Sequence, residues 1–414
     1  MQSYLEQLLT RRNPIHIRKE EARFSDILTI LQDINIQKPR YKTIHLAGSK
    51  GKGSTAHAIT ATLYSLGYRT LLFTSPHLID IKERFLLNLT RISTEQLHRA
   101  LRWLQHQEDA YHITLPFFDA MTAMLFFLAD SLPIDFLILE TGLGGRLDAT
   151  NLCASDITVI TPIEREHTAI LGDTLLAITQ EKAGIIKPKT PLFIAKQAPQ
   201  VAQCLEESAQ KLGAPYFHFN ALFAAIKERA RSPFQQEIIY KERSFIVQFP
   251  TPMKVLAENA LLALAVVDYL FPEHDIIPVW QESILSHQLP ARYQKIKANI
   301  VLDASHTPSS FCALVQTFYQ EFPTQEKILI FGCAVDKDFI SISESFYYFD
   351  KIYFVAPKGI HQQMELLSQQ YPQANSSYHP DLKTLLETLP LKKEQALLIT
   401  GSFYLVAEAL EHFH

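Results

Sequence analysis

The chain has 414 residues, 47% hydrophobic and 20% charged, and a net charge of -4. That length predicts two domains, and the composition is that of a globular protein. The slight acidity argues against a nucleic-acid binder, which would carry a basic excess.

The N-terminal stretch "MQSYLEQLLTRRNPIHIRKEE" is charged and lacks the apolar core of a signal peptide. "KTIHLA" (42–47) reads as a strand leading into the glycine loop "GSKGKGS", and "STAHAITATLYSLG" reads as a helix ending at Gly67. "RTLLFT" (69–74), "DFLILE" (135–140), "DITVIT" (156–161) and "PLFIAK" (191–196) are further strands separated by helical patterns. Strands this apolar imply a parallel sheet covered on both faces. Apolar runs such as "AMTAMLFFLA" (120–129) are too short to cross a bilayer. Residues 217–250 alternate differently and suggest a small antiparallel excursion. A second series, "NIVLD" (299–303), "KILIFG" (327–332), "KIYFVA" (351–356) and "ALLITG" (396–401), predicts a smaller α/β unit. Pro290 interrupts the pattern between the two sets. The expected organisation is therefore residues 1–288, a linker at 289–296, and residues 297–414. Cys153, Cys204, Cys312 and Cys333 are scattered without C-x-x-C spacing, which fits a reducing compartment and suggests neither a zinc site nor a disulfide framework. A cytoplasmic monomer with no membrane or nucleic-acid partner is expected.

In an open parallel sheet, ligands sit at the carboxyl ends of the strands. The first strand delivers Gly48, Gly51, Lys52, Gly53 and Ser54, the second Ser75 and His77, and the third Glu140; the fourth is followed by His167. Glycines let backbone N–H groups approach a phosphate, and a helix beginning near Ser54 offers its positive end. Lys52 is placed to neutralise outer phosphates, while Ser54 and Glu140 are hard oxygen donors suited to Mg²⁺. The loop is not a Walker A sequence, because Gly53 separates Lys52 from the hydroxyl of Ser54. Residues 75–84 and 115–122, including Phe118, place aromatic and polar groups together, a surface on which a flat heteroaromatic ring would stack.

In order along the chain, "HLAGSKGKGST" (45–55), "FTSPHL" (73–78), "LETGLGGRLDATN" (139–151), "EHTAILGDTLLAITQEKAGIIK" (166–187), "LDASHTP" (302–308), "DKD" (336–338) and "TGSFYLVAEAL" (400–410) resemble the folylpolyglutamate synthase/dihydrofolate synthase family of the Mur ligase superfamily. The family's phosphate loop has the form G-x-x-G-K-G-[ST], which accounts for Gly53. The resemblance implies a P-loop-type, mainly parallel sheet with helices on both faces, plus a smaller Rossmann-like C-terminal α/β domain. It implies an ATP-binding first domain with the pterin site and a glutamate-ligase second domain. The implied reaction adds L-glutamate to a folate or dihydropteroate carboxylate through an acyl phosphate, with ATP and Mg²⁺.

The roles implied are nucleotide binding for Gly48, Gly51, Lys52, Gly53, Ser54, Arg292 and Asp303. Ser54, Ser75, Glu140 and His167 are implied at the metals, and Ser75, His77, Phe118 and Ser402 at the substrates. Lys52, His167, Lys182 and His306 are implied to be catalytic, with Lys182 carbamylated. The sequence departs from the family in "PARYQ" (290–294), where P-G-R before an acidic residue is usual, so that Ala291 and Gln294 differ. Ala304, Ser305 and Thr307 occupy the variable places of D-G-A-H-N-P. Two other readings fit less of the chain: another amino-acid ligase of the superfamily, and a non-catalytic nucleotide switch.

Overall fold

The apolar runs between residues 42 and 218 become strands of one sheet. In chain order they are β1 (Lys42–Ala47), β2 (Thr70–Phe73), β3 (Phe85–Leu87), β4 (Thr90–Arg91), β5 (Phe136–Glu140), β6 (Ile157–Ile160), β7 (Leu192–Ile194) and β8 (Tyr216–His218). The computed structural model describes residues 2–11, 24–37, 39–229, 232–333, 340–356, 361–370 and 375–413. The sheet order is β4-β3-β2-β5-β1-β6-β7-β8. All pairings from β2 to β8 are parallel, and the short β3 and β4 add an antiparallel edge that the apolar pattern did not predict.

Alternation along the strands explains why both faces are buried. Leu137 and Leu139 of β5 enter one core with Leu71 and Phe73 of β2, while Phe136 and Ile138 enter another with Leu72, Ile44 and Leu46. The first core is closed by the helices Thr94–Tyr111 and Phe117–Ser131, the second by Lys52–Ser65 and Lys254–Leu270. β1 sits between β5 and β6, although β2 follows it in the chain. The strand order reverses there, and the loops after β1, β5 and β6 share one end of the sheet.

A three-stranded antiparallel sheet, β9 (Phe223–Arg229), β10 (Ser232–Tyr240) and β11 (Arg243–Gln248), fulfils the expectation for 217–250. Its Ile238, Tyr240 and Val247 join the second core.

Two units emerge: residues 1–250 with 255–287, and residues 251–254 with 288–414. The second holds β12 (Gln294–Lys297), β13 (Ile300–Asp303), β14 (Glu326–Phe331), β15 (Lys351–Val355), β16 (Ser376–His379) and β17 (Gln395–Thr400). Their order is β12-β13-β17-β14-β15-β16, parallel except for the antiparallel edge β12. β12 begins inside the expected linker, 289–296. Among the described residues no helix is long and apolar enough to cross a membrane. All four cysteines are free thiols.

Candidate active site

The loop after β1 is fixed from both sides. Ser49 and Lys50 donate their backbone N–H groups to Pro162 O, the Ser49 hydroxyl donates to Glu164 O, and the Lys50 ammonium pairs with the Glu164 carboxylate at 2.6 Å. The helix Lys52–Ser65 starts two residues earlier than the sequence suggested, with Gly51 as its N-cap at φ +80°. A side chain at Gly51 would be strained and would meet Asn259 Oδ1 at 2.5 Å. A Cβ on Gly48 would lie 1.9 Å from Thr161 Oγ1. The backbone therefore runs closer to β6 than any side chain permits.

Two lysines meet at this turn. Lys52 Nζ donates to Gly48 O at 2.9 Å, and Lys182 Nζ donates to the same oxygen at 2.8 Å. Lys182 also pairs with Glu166 Oε1 at 2.8 Å and is 1% exposed. Burial, followed by repulsion from Lys52, pushes the Lys182 ammonium down to about 8. The Glu166 carboxyl is held low by Lys182 and Lys52, against the effect of its burial.

Glu140, at the end of β5, is buried and accepts the Ser75 backbone N–H at 3.1 Å on Oε2. The same oxygen would lie 3.3 Å from a Cβ on Gly53. Glu140 thus joins the phosphate loop to the loop after β2. Ser54 is half-buried in the first turn of the loop's helix. His167 is exposed at the N-cap of the short helix Thr168–Leu171, with φ +46°. Among the described residues, no three or more His, Cys, Asp or Glu side chains are grouped to hold a metal. Any divalent ion here would depend on hydroxyl, phosphate and water oxygens as well.

The "GLGGRLDATN" stretch places Lys182. Asp148 is buried, and its Oδ2 accepts the N–H groups of Gly142 and Leu143 while Oδ1 accepts the N–H and hydroxyl of Thr150. Burial raises its pKa despite those donors. Since Thr150 donates to Asp148, its oxygen accepts from His45 Nε2 at 2.9 Å. Arg146 grips Glu181 through Nε and Nη2, and Arg146 N donates to Glu181 O. Gly145 and Gly184 let the loop and the helix Leu175–Ala183 touch: Cβ atoms there would lie 2.8 Å from Glu181 O and 2.3 Å from Arg146 Cβ. Lys182 is the next residue of that helix.

Beside β2, Arg84 Nε donates to His77 Nδ1 at 2.8 Å, and burial together with Arg84 lowers the His77 pKa. The Arg84 guanidinium lies 5.1 Å from the centre of the Phe117 ring. Phe118 is half-buried, 5.9 Å from Phe73, and its ring covers Gly142. The segments 75–84 and 115–122 are therefore neighbours, with a neutral imidazole and an aromatic pair between them.

In the second unit, Asp303 is 2% exposed; its Oδ2 accepts Tyr293 N and its Oδ1 accepts Ser305 N, both at 2.7 Å. Arg292 Nη1 donates to Ala291 O, and its guanidinium lies 5.1 Å from the centre of the Phe403 ring. His306 is 5.5 Å from the same ring and contacts Ala304 O through Nδ1 at 3.0 Å. Ser402 is buried and accepts Leu405 N, an end-of-helix role. The "DKD" motif at 336–338 lies outside the described residues.

Asn259 is the residue that sequence reasoning missed. It is nearly buried in the helix Lys254–Leu270, and its amide faces Gly51 from some 200 positions away. Glu166 carries no signal of its own in the sequence beyond opening the motif at 166–187, and its partner Lys182 lies 16 residues on.

Comparison with known proteins agrees with this geometry. Residues 46–267 match the Mur ligase middle domain, and residues 291–403 match the Mur ligase glutamate ligase domain. A dihydrofolate synthase/folylpolyglutamate synthase of Bacillus subtilis is 28% identical over 393 residues, covering 89% of this chain and 90% of that protein. The folylpolyglutamate synthase of Mycobacterium tuberculosis, solved with ADP and AMPPCP, superposes with a TM-score of 0.85 at 25% identity, covering 99% of this chain and 97% of that one. The bifunctional folylpolyglutamate synthase/dihydrofolate synthase of Yersinia pestis, solved with AMPPNP and a manganese ion, gives 0.84 at 26% identity over 100% and 98% of the two chains. The chain belongs to the Mur ligases, and within them to the folylpolyglutamate synthase/dihydrofolate synthase family.

Proposed function

We propose that this protein is an ATP-dependent ligase joining L-glutamate to the carboxylate of a folate or dihydropteroate, with release of ADP and phosphate. A carboxylate cannot acylate an amine until one of its oxygens can leave. The substrate carboxylate oxygen attacks the γ-phosphorus, and the bond from that phosphorus to the β-phosphate oxygen breaks. The amine of glutamate then adds to the acyl carbon, loses a proton, and expels phosphate.

The observation that carries this reading is the meeting of Lys52 and Lys182 at one carbonyl, Gly48 O. In the unmodified chain two ammonium groups converge there, and Glu166 answers one of them. A triphosphate laid along the loop would answer the other. Phosphoryl transfer depends chiefly on such charge placement.

Ser54 and Glu140 are the proposed ligands of Mg²⁺, and Ser75 and His167 its further neighbours. The donor set fits, because Mg²⁺ takes one or two carboxylates and fills its shell with phosphate and water oxygens. When bound, the ion reduces repulsion between the attacking carboxylate and the phosphate. Arg292 and Asp303 are proposed for the nucleotide, His306 and Ser402 for the acyl and glutamate groups. His77 and Phe118 are assigned to the pterin.

Lys182 is proposed to carry a CO₂-derived carbamate in the working enzyme. The neutral amine is the reactive form, and its lowered pKa makes that form available near pH 8. The nitrogen lone pair bonds to the carbon of CO₂, and a nitrogen proton leaves to water. The bonds to Glu166 and Gly48 O favour a second reading, in which the ammonium itself serves the phosphates.

The function is tested by ADP release. It should require both glutamate and a pterin carboxylate, and a screen of dihydropteroate against reduced folate monoglutamates identifies the substrate. ADP release indifferent to both additions would overturn the ligase reading. Lys52→Ala should lower turnover by about 10²–10³-fold in a folded protein. A ¹³CO₂ carbonyl signal lost in Lys182→Ala, with activity regained on adding a short carboxylate, supports the carbamate. Full activity of that variant without carboxylate removes it.

A further inference from the structure

We infer that Gln294 is a positioning residue that holds Arg292 in place through the neutral amide it carries where the family usually has an acidic side chain. The inference rests on Arg292 serving the nucleotide, as proposed above. Three consecutive residues carry it. Ala291 and Tyr293 both have left-handed backbones, with φ of +57° and +45°, and both are buried to 1% exposure or less. Neither is glycine, so neither conformation persists without restraint.

Four hydrogen bonds among the described residues restrain the turn. Ala291 N donates to Gln294 Oε1 at 2.9 Å, and Ala291 O accepts Ala304 N at 3.0 Å. Tyr293 N donates to Asp303 Oδ2, and the Tyr293 hydroxyl donates to Glu321 Oε2 at 2.6 Å. Arg292 stands between the two clamped residues. Its Nη1 returns to Ala291 O, and its guanidinium lies over Phe403, the ring that His306 also approaches. Gln294 supplies a side-chain acceptor on the N-terminal side of the arginine. Only the carbonyl oxygen of its amide can accept an N–H, and a glutamate carboxylate at this position would accept the same donor. The departure from an acidic residue therefore preserves the bond and removes a negative charge from beside a cation. Without the acceptor, the Ala291 N–H loses its partner and the left-handed turn loses its N-terminal restraint.

The test is steady-state ligation with ATP varied, alongside thermal melting of each variant. Gln294→Leu should raise KM for ATP about tenfold, the loss of one hydrogen-bonded restraint, with kcat less affected. Gln294→Glu should stay close to the parent. In an Arg292→Ala background, Gln294→Leu should add nothing, because its effect passes through the arginine. Should Gln294→Leu fail to fold, Gln294→Ser makes the same comparison with a side chain too short to reach. An unchanged KM in Gln294→Leu, with a raised KM in Arg292→Ala, overturns the inference and leaves the nucleotide role standing. Additive losses in the double variant overturn it too, since Gln294 would then act elsewhere. An unchanged KM in Arg292→Ala removes the nucleotide role itself.

Discussion

The loop after β1 and the turn before β12 face the same problem and solve it in opposite ways. Each must carry the backbone through left-handed geometry to set a cation in place. In the first unit the chain omits side chains, with glycine at positions 48, 51 and 53 leaving room for Thr161, Asn259 and Glu140. In the second unit Ala291 and Tyr293 keep their side chains, and Asp303, Gln294 and Glu321 hold the strained turn by hydrogen bonds. Omission leaves backbone that a phosphate can approach. Clamping buries the backbone and leaves one side chain, Arg292, to act. The first solution is written locally in the sequence, whereas the second depends on residues up to 28 positions away.

The comparison breaks most visibly at Gly48. Gly48→Ala places a methyl group 1.9 Å from Thr161 Oγ1. The loop must shift, at a cost of about 3 kcal/mol, the upper part of the usual range for overpacking. Lys52 and Lys182 would lose their common carbonyl position, so ligation should fall further than stability does. Adding Thr161→Ala should recover part of both, measured by urea melts and ADP release. No recovery would mean that the cost lies in the backbone, in the approach to Thr161 O at 2.9 Å and the φ of +151°, and not in the Thr161 hydroxyl.

A pH titration sharpens the contrast, because the first unit buries a cation under stress. The Lys182 ammonium ordinarily titrates near 10.5 and here near 8. Between those values the unfolded chain holds a proton that the folded chain lacks, so stability rises with pH. The full rise is about 3 kcal/mol. Most of it should be seen between pH 8 and pH 10; above pH 9 the buried Cys153 thiol, raised to about 12, offsets part of it, and Tyr4, Tyr240 and Tyr293, whose pKa values are raised, take stability away above pH 10. Urea melts of the parent and of Lys182→Met across that window test this. An equal rise in both would place its origin elsewhere.

The same contrast explains what could be read from the sequence. Strand positions were legible because apolar runs are local: "KTIHLA" is β1 to the residue, and the runs at 135–140 and 299–303 each begin one residue early. β4, β12 and β16 were missed because short strands rich in polar residues have no such run, and β3 and β8 because three residues are too few to form one. The glycine loop was legible because its geometry follows from glycine itself. Asp303 was legible as a position, but its two bonds to Tyr293 N and Ser305 N were not, since the turn it restrains carries no glycine signal. Likewise Arg146, Glu181 and Gly184 look unrelated until the helix Leu175–Ala183 packs on the "GLGGR" loop.

The smallest expected effect is the most informative about the clamp. Ala291→Gly places in the turn the residue that the family usually has there. A left-handed backbone costs an alanine roughly 1 kcal/mol more than a glycine. Against this gain stand the greater freedom of glycine in the unfolded chain and the loss of a buried methyl group, since Ala291 has no exposed surface. The net change in stability should therefore be small, within about 0.5 kcal/mol of zero. The kinetic change need not be. If Gln294 and Asp303 already hold the turn, glycine gains nothing from its freedom, and KM for ATP stays at the parent value. Combined with Gln294→Leu the two changes diverge. The glycine can then keep the left-handed turn without strain although its N–H has no acceptor, so it should recover part of the lost ATP affinity. Measuring KM for ATP in the parent, both single variants and the double variant decides the point. If Ala291→Gly rescues nothing in the Gln294→Leu background, backbone strain is not what the amide restrains.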